Sequence, residues 1–344
     1  MPRIGFTTWS GFSSKLTSIT NIKSANPDLD KTLHYAIEHT GYRFIDASAC
    51  EGLNERLVGS VVTALLKDHF ISRNDLFIST KLSNYNHKKH QVVPELQESL
   101  ERLNLKYVDL YLMHMPFALF LNNMVDDSVD YMETWQGMID ALRLNLTRSV
   151  GVAHFTVDML ERLVRSEVKP HVLQIEVNLN LQQPELLQYC EDNSIAVLGA
   201  HALGSLYATE RHLDAAPLPR LDDPLLAGLA NKYEKTVPQI ALRFLVDRNV
   251  VPLITTDSQY RLQESFGIFD FELDAYEIFL LKSFHTGFRT LDFKYWSHAL
   301  FYPFKGDYAT EIRQNMYPEY YKMIYKGPGI NVSAVTEQPP LNDV

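Results

Sequence analysis

Short apolar runs alternate along the chain with longer stretches of helical period, the arrangement of repeated strand–helix units. Eight runs read as strands: residues 3–6, 44–47, 76–82, 108–113, 149–153, 172–176, 196–200 and 250–254. They are continuous more than alternating, as expected of strands covered on both faces. Between them, residues 54–67 carry Leu57, Val58, Val61, Val62, Leu65 and Leu66 on one helical stripe. Residues 94–105, 132–144, 158–164, 184–193 and 238–247 read as helices in the same way, several with proline near the first turn. Gly41 stops a helical stretch over 34–40.

Eight such pairs predict a single (β/α)8 TIM barrel of the α/β class more than an open doubly wound sheet. The chain has no GxGxxG or GxxxxGK[ST] loop to support the open sheet, and no GxSxG to support a hydrolase. After Ile268 a last helix over 275–284 leads into an aromatic-rich tail: Phe288, Phe293, Tyr295, Trp296, Phe301, Tyr302, Phe304, Tyr308, Tyr317, Tyr320, Tyr321 and Tyr325. Two placements stay open for it, across the barrel mouth as a substrate wall or against the outer helices.

Composition narrows the partners. The 344 residues are 46% hydrophobic and 22% charged, an ordinary globular mixture. A net charge of −10 gives no electrostatic reason to bind nucleic acid or an anionic membrane. Two cysteines, Cys50 and Cys190, offer neither a disulfide framework nor a cysteine-based zinc site. No signal-peptide order and no bilayer-length apolar run is seen, so a reducing, cytoplasmic setting is expected. In that setting the sequons at Asn145 and Asn331 are read as chance matches. His87-Lys88-Lys89-His90 reads as a solvated basic loop, and His114 with His201 lacks ligand-spaced partners, so no metal site is expected.

In barrels of this kind the chemistry sits where strands end. Asp46, Lys81 and His114 close three consecutive strand-like runs and would converge on one rim. Around them stand Gly5-Phe6-Thr7-Thr8-Trp9, Gly41-Tyr42-Arg43-Phe44-Ile45-Asp46, Asp109-Leu110-Tyr111-Leu112-Met113-His114-Met115-Pro116 and Gln174-Ile175-Glu176. Further along come Leu203-Gly204-Ser205, Arg243-Phe244, Arg248-Asn249 and Phe269-Asp270-Phe271-Glu272-Leu273. With these stretches in this order, the chain resembles the aldo-keto reductase family over most of its length. The resemblance implies a barrel over residues 1–305 and a partly irregular C-terminal extension over 306–344. It also implies reduction of small aldehydes and ketones with NADPH through an Asp–Tyr–Lys–His tetrad. In that tetrad tyrosine protonates the carbonyl oxygen, aspartate-held lysine lowers the tyrosine's pKa, and histidine orients the substrate. Asp46, Lys81 and His114 match three members. Cofactor contacts carry over to Thr8, Gln174, Leu203, Ser205, Thr256, Arg261 and Glu264.

The departures fall on the same site. The tyrosine should stand five residues after the aspartate, which is Glu51, or two before the Asn-Glu pair, which is Gly52. Glu51 is the tentative replacement acid, but Lys81 beside it would hold it ionised, and a carboxyl donates near neutral pH only when its pKa is raised. Gly151-Val152-Ala153-His154-Phe155 lacks the Ser-Asn pair that the resemblance places at the carboxamide, and Ala200-His201 lacks the stacking tyrosine, which His201 would replace only in part. Thr255-Thr256 replaces a Lys-Ser pair at the adenosine phosphate, and Ser265 an asparagine. Two lost hydrogen bonds at ~0.5–1.5 kcal/mol each, one lost stack at ~0.5–1.5 and one lost phosphate contact at ~1.5–3 total ~3–7.5 kcal/mol, or roughly two to five decades of affinity. Two readings follow: an NADP(H)-dependent carbonyl oxidoreductase with impaired or lost catalysis, or a catalytically inactive barrel kept for binding protein partners or for a structural role.

Overall fold

The computed structural model describes residues 1–8, 28–49, 52–207 and 219–305. Its centre is a closed barrel of parallel strands: β1 Gly5–Thr7, β2 Phe44–Asp46, β3 Phe77–Leu82, β4 Leu110–Met113, β5 Val150–Ala153, β6 Val172–Glu176, β7 Ala196–Ala200 and β8 Val250–Ile254. Each strand pairs with its neighbours in chain order, and β8 closes onto β1 through Gly5↔Leu253 and Phe6↔Ile254. The apolar runs therefore locate every barrel strand, with some ends displaced by one or two residues.

The continuous runs hide a period of two, because both faces are apolar. Ile45, Ile78, Tyr111, Val152, Leu173 and Val197 join the main core that includes the helices. Their alternates Phe44, Leu110, Leu112, Val172, Leu198 and Leu253 pack with one another as a separate cluster inside the barrel. Gly5 belongs to this inner set: a Cβ there would lie 2.6 Å from Leu253 and 2.9 Å from Phe44 side-chain atoms. Two positions beyond the inner residues of the same strands come Thr7, Asp46, His114 and Gln174, and four beyond Phe77 comes Lys81. The inner faces thus change from apolar to polar toward the strands' C-terminal ends.

The outer helices are α1 Leu29–Tyr35, α2 Gly52–Lys67, α3 Lys89–Leu103, α4 Tyr131–Arg143, α5 Val157–Val164, α6 Pro184–Asp192, α7 Pro224–Tyr233, α8 Val237–Val246, α9 Gln259–Phe266 and α10 Ala275–Lys282. The stretch after α1 widens into a π-helical turn, Ala36–Thr40, which ends at Gly41 in the left-handed region with φ 97°. α3 begins five residues before the expected start and carries Pro94 inside it. The first turn carries exposed Lys88, Lys89 and His90, whereas His87 is buried beneath α4. The expected solvated loop is thus corrected at His87, whose carbonyl accepts from Thr134 Oγ1 at 2.7 Å. α7 and α9 have no counterpart in the sequence reading. Asp223 caps α7 by accepting from Leu225 N and Leu226 N, and Ser258 caps α9 by accepting from Arg261 N.

After β4 a small hairpin, Ala118–Leu119 paired with Val125–Asp126, rises from the C-terminal rim. Its base, with Met115, Phe117 and Leu119, packs against Phe293, Trp296, Tyr302 and Phe304. Trp296 Nε1 donates to Asn123 O at 3.0 Å, and Leu300 N to Asp127 Oδ1 at 2.9 Å. The described part of the aromatic tail therefore lies on the rim side, with Phe301 reaching Tyr131 of α4. Tyr308, Tyr317, Tyr320, Tyr321 and Tyr325 lie outside the described residues. Among the described residues no helix is long and apolar enough to cross a membrane.

Gly59 of α2 sits where that helix packs closely on the C-terminal end of α3. A Cβ there would meet Leu103 O at 2.6 Å and Arg102 O at 2.8 Å, backbone atoms that cannot rotate away. Gly59→Ala is expected to cost ~1–3 kcal/mol by overpacking, measured as a lower urea midpoint; an unchanged midpoint would show that the two helices separate freely.

Candidate functional site

The strand register sets the first row of polar groups. Thr7 pairs with Asp46 across β1 and β2, and Asp46 with Ser79 across β2 and β3. Lys81 follows Ser79 by two residues, so both share one face of β3. Asp46 is 1% exposed and Lys81 2%, and Lys81 Nζ donates to Asp46 Oδ2 at 2.7 Å and to Ala47 O at 2.9 Å. The carboxylate also accepts from Ser79 Oγ at 2.6 Å, Thr7 Oγ1 at 3.0 Å and Gln174 Nε2 at 3.2 Å. A buried ion pair survives desolvation only when its remaining valences are met, and here β1, β3 and β6 each supply a donor.

His114 follows β4 and is buried. Burial first, then the Lys81 ammonium and the neighbouring His154 and His87, hold its pKa well below 6.5, leaving a neutral imidazole. Its ring stacks with His154 at 6.1 Å between centroids. His154 follows β5 with φ 62°, and the Phe293 ring meets it edge-on at 5.0 Å. Burial, with smaller contributions from Arg289, His201 and Lys81, pushes the His154 pKa down to about 3. His201, at φ 49° after β7, is likewise lowered by burial, opposed by the Glu176 carboxylate. The rim thus gathers neutral imidazoles beside the Lys81 ammonium.

These groups open on a cavity of about 240 Å³ that runs from Asp46, Lys81 and His114 to Thr256, Arg261 and Glu264. Gln174 and Leu203 also line it, so eight of the sequence-nominated residues share one space. Thr8 and Ser205 do not line it. Thr8 is buried with its hydroxyl on Asp46 O at 3.3 Å, and Ser205 Oγ donates to Asn180 Oδ1 at 2.5 Å. Glu51 lies outside the described residues. At the far end the Arg261 guanidinium stands over the Tyr207 ring, 4.7 Å from its centroid. Sequence reasoning missed Thr7, Ser79 and Tyr207. Ser79 was accessible from period two, standing two residues before Lys81, whereas Tyr207 follows the irregular turn after β7 and carries no such signal. Among the described residues no group of three potential metal ligands comes together.

Comparison with known proteins gives the class. The sequence matches the Aldo/keto reductase family over residues 4–285. "Aldo-keto reductase AKR2E4" of Bombyx mori is 38% identical over 304 residues, covering 88% of this chain and 95% of that protein. "Aldo-keto reductase family 1 member C18" of Rattus norvegicus is 32% identical over 281 residues, covering 78% and 86%. The crystal structure of the Bombyx mori protein in complex with NADP superposes with a TM-score of 0.80 over 88% of this chain and 95% of that one. That of aldo-keto reductase AKR2E5 complexed with NADPH, 36% identical, gives 0.81 over 88% and 90%. The chain belongs to the aldo-keto reductase family.

The buried histidines make stability depend on pH. His87 and His154 ordinarily titrate near 6.5, and in the fold burial moves both to about 3. As pH falls below 6.5 the unfolded chain takes up protons that the folded chain refuses. Their stabilisation is therefore complete above 6.5 and declines toward pH 3, by about 1.4 kcal/mol per pH unit for each. Urea unfolding at pH 7.5, 6.0 and 5.0 should show this decline, and His87→Gln should flatten it by about one proton. Identical slopes in the two proteins would contradict a neutral, buried His87.

Proposed function

We propose that the protein is an NADP(H)-linked carbonyl oxidoreductase of low capacity, with an intact lysine–aspartate–histidine floor and an eroded acid and cofactor grip. The carrying observation is the convergence of Asp46, Lys81 and His114 at one end of the cavity that reaches Arg261 at the other. That lining offers an anionic dinucleotide polar contacts at both ends, from Gln174 at the reacting end and from Thr256 and Arg261 at the phosphate end. The relatives solved with NADP and NADPH support the same cofactor.

When bound, the reduced nicotinamide supplies a hydride. The chain's part is to hold the carbonyl and stabilise the charge that hydride transfer puts on its oxygen. Neutral His114 donates a hydrogen bond to the carbonyl oxygen without contributing a charge of its own. The Lys81 ammonium stabilises negative charge growing on that oxygen, and Asp46 fixes the ammonium in place. The described lining holds one phenol, Tyr207, and it sits under Arg261 at the other end. A missing general acid typically costs ~10²–10⁴ in rate.

A non-catalytic role is the second reading, favoured by the cavity's size. About 240 Å³ falls below the roughly 300–1,000 Å³ usual for ligand sites, and the stacked His154 and His114 rings fill part of the rim.

Titration with NADPH, followed by tryptophan fluorescence, separates the readings. The oxidoreductase reading expects saturable binding weaker than micromolar, slow turnover of a reactive aldehyde, and at least a tenfold gain in Glu51→Tyr. Loss of the residual turnover in Glu51→Gln would identify Glu51 as the acid. No NADPH binding up to about 1 mM and no turnover in any variant would establish the non-catalytic role, and sub-micromolar binding would overturn the erosion of the cofactor grip.

A further inference from the structure

The cavity at the barrel mouth has a larger neighbour. A second space, of about 560 Å³, opens between the loops that follow β5 and β6 and the C-terminal segment. Among the described residues, His154 alone is common to both linings. On the first side it stands with Lys81 and His114, and on the second with Phe155, Leu181, Leu186 and Phe304. A single residue therefore has the reacting end of the barrel mouth on one side and a broad apolar wall on the other.

Backbone and rings together fix the position of His154. Its amide donates to Gln174 O at 2.9 Å, which carries the β5–β6 ladder one residue past the end of β5. There φ turns to 62°, a left-handed conformation uncommon for any residue but glycine. Three rings then hold the imidazole. His114 stacks on it at 6.1 Å between centroids, and Phe293 and Phe304 meet it edge-on at 5.0 and 6.3 Å. At 5% exposure, and backed by Phe304 from the second cavity, the ring has little room to swing aside.

We propose, on the oxidoreductase reading of the first cavity, that His154 is a specificity-determining residue. Its ring shuts the second cavity off from a carbonyl held by His114 and Lys81, so that short-chain aldehydes are favoured over rigid bicyclic aromatic ones. Exclusion of this kind is steep, because a single methylene in a fitted pocket changes specificity about 10–200-fold. Removal of the imidazole joins the two spaces. The wall thereby added, with Phe155, Leu181 and Leu186, is apolar, and an aromatic body gains a burial there that a three-carbon aldehyde is too small to use.

The test compares kcat/KM for 2-naphthaldehyde and propanal, with NADPH, in the full-length wild type, His154→Gly and His154→Phe. Glycine removes the ring and accepts a φ of 62° without strain, whereas phenylalanine keeps a ring and discards the nitrogens. His154→Gly should raise the naphthaldehyde-to-propanal ratio at least about tenfold, and His154→Phe should leave it near the wild-type value. Circular dichroism checks folding, and His154→Ala takes the place of the glycine variant if that one does not fold. A ratio unchanged on loss of the ring, or raised equally in His154→Phe, would overturn the proposal. Isothermal titration of the cofactor-free protein with 2-naphthylmethanol, the corresponding alcohol, needs no turnover. It should bind at least about tenfold more tightly once the ring is removed. Absence of turnover in every protein would sink the oxidoreductase reading while this binding difference still supports the partition; equal affinities would overturn the partition whatever the turnover.

Discussion

The ion pair between Asp46 and Lys81 is the contact on which the polar end of the barrel depends. Two charges at 1% and 2% exposure are tolerable only if each finds partners inside the fold. Thr7, Ser79 and Gln174 reach the carboxylate, and the Ala47 carbonyl takes a second bond from the ammonium. These groups come from β1, β3, β6 and the end of β2, so the bonds that satisfy the pair also fix the upper register of four strands. The same bonds aim the ammonium at the cavity. Stability and chemistry are therefore not separable at this position.

What surrounds the pair is electrostatically one-sided. His114 is held neutral by burial and by Lys81, and His154 by burial. Lys81 is thereby the cation nearest to the floor of the site, while Arg261 stands at the other end of the cavity. The aromatic cluster of Phe293 and Phe304 keeps His154 in place and shields it from water.

Most of the barrel was legible because its information is local. Each strand is an apolar run, and Asp46, Lys81 and His114 stand at run ends, where a polar residue breaks the pattern. Ser79 was legible in principle by its spacing from Lys81. The missed features depend on tertiary context. Nothing in His87-Lys88-Lys89-His90 tells that the first residue turns under α4 while the next three face solvent. Pro94 looks like a helix start, yet the helix begins five residues earlier at Lys89 and runs through the proline at the loss of one i→i−4 hydrogen bond, which the local sequence does not announce. The placement of His154 is likewise hidden. Its left-handed backbone and its stack on His114 follow from where β5 ends relative to β4, and no residue spacing encodes that. The two short strands of the rim hairpin are too brief for any periodicity to announce them.

A double-mutant cycle of Asp46→Asn and Lys81→Met, followed by urea unfolding, tests the central dependence most directly. Each single variant leaves a buried partner uncompensated and should lose ~3–5 kcal/mol. The double variant should lose less than the sum by more than ~2 kcal/mol. Additivity to within ~0.5 kcal/mol, with each single loss below ~1 kcal/mol, would contradict the account by showing that the pair behaves as two independent, solvated charges.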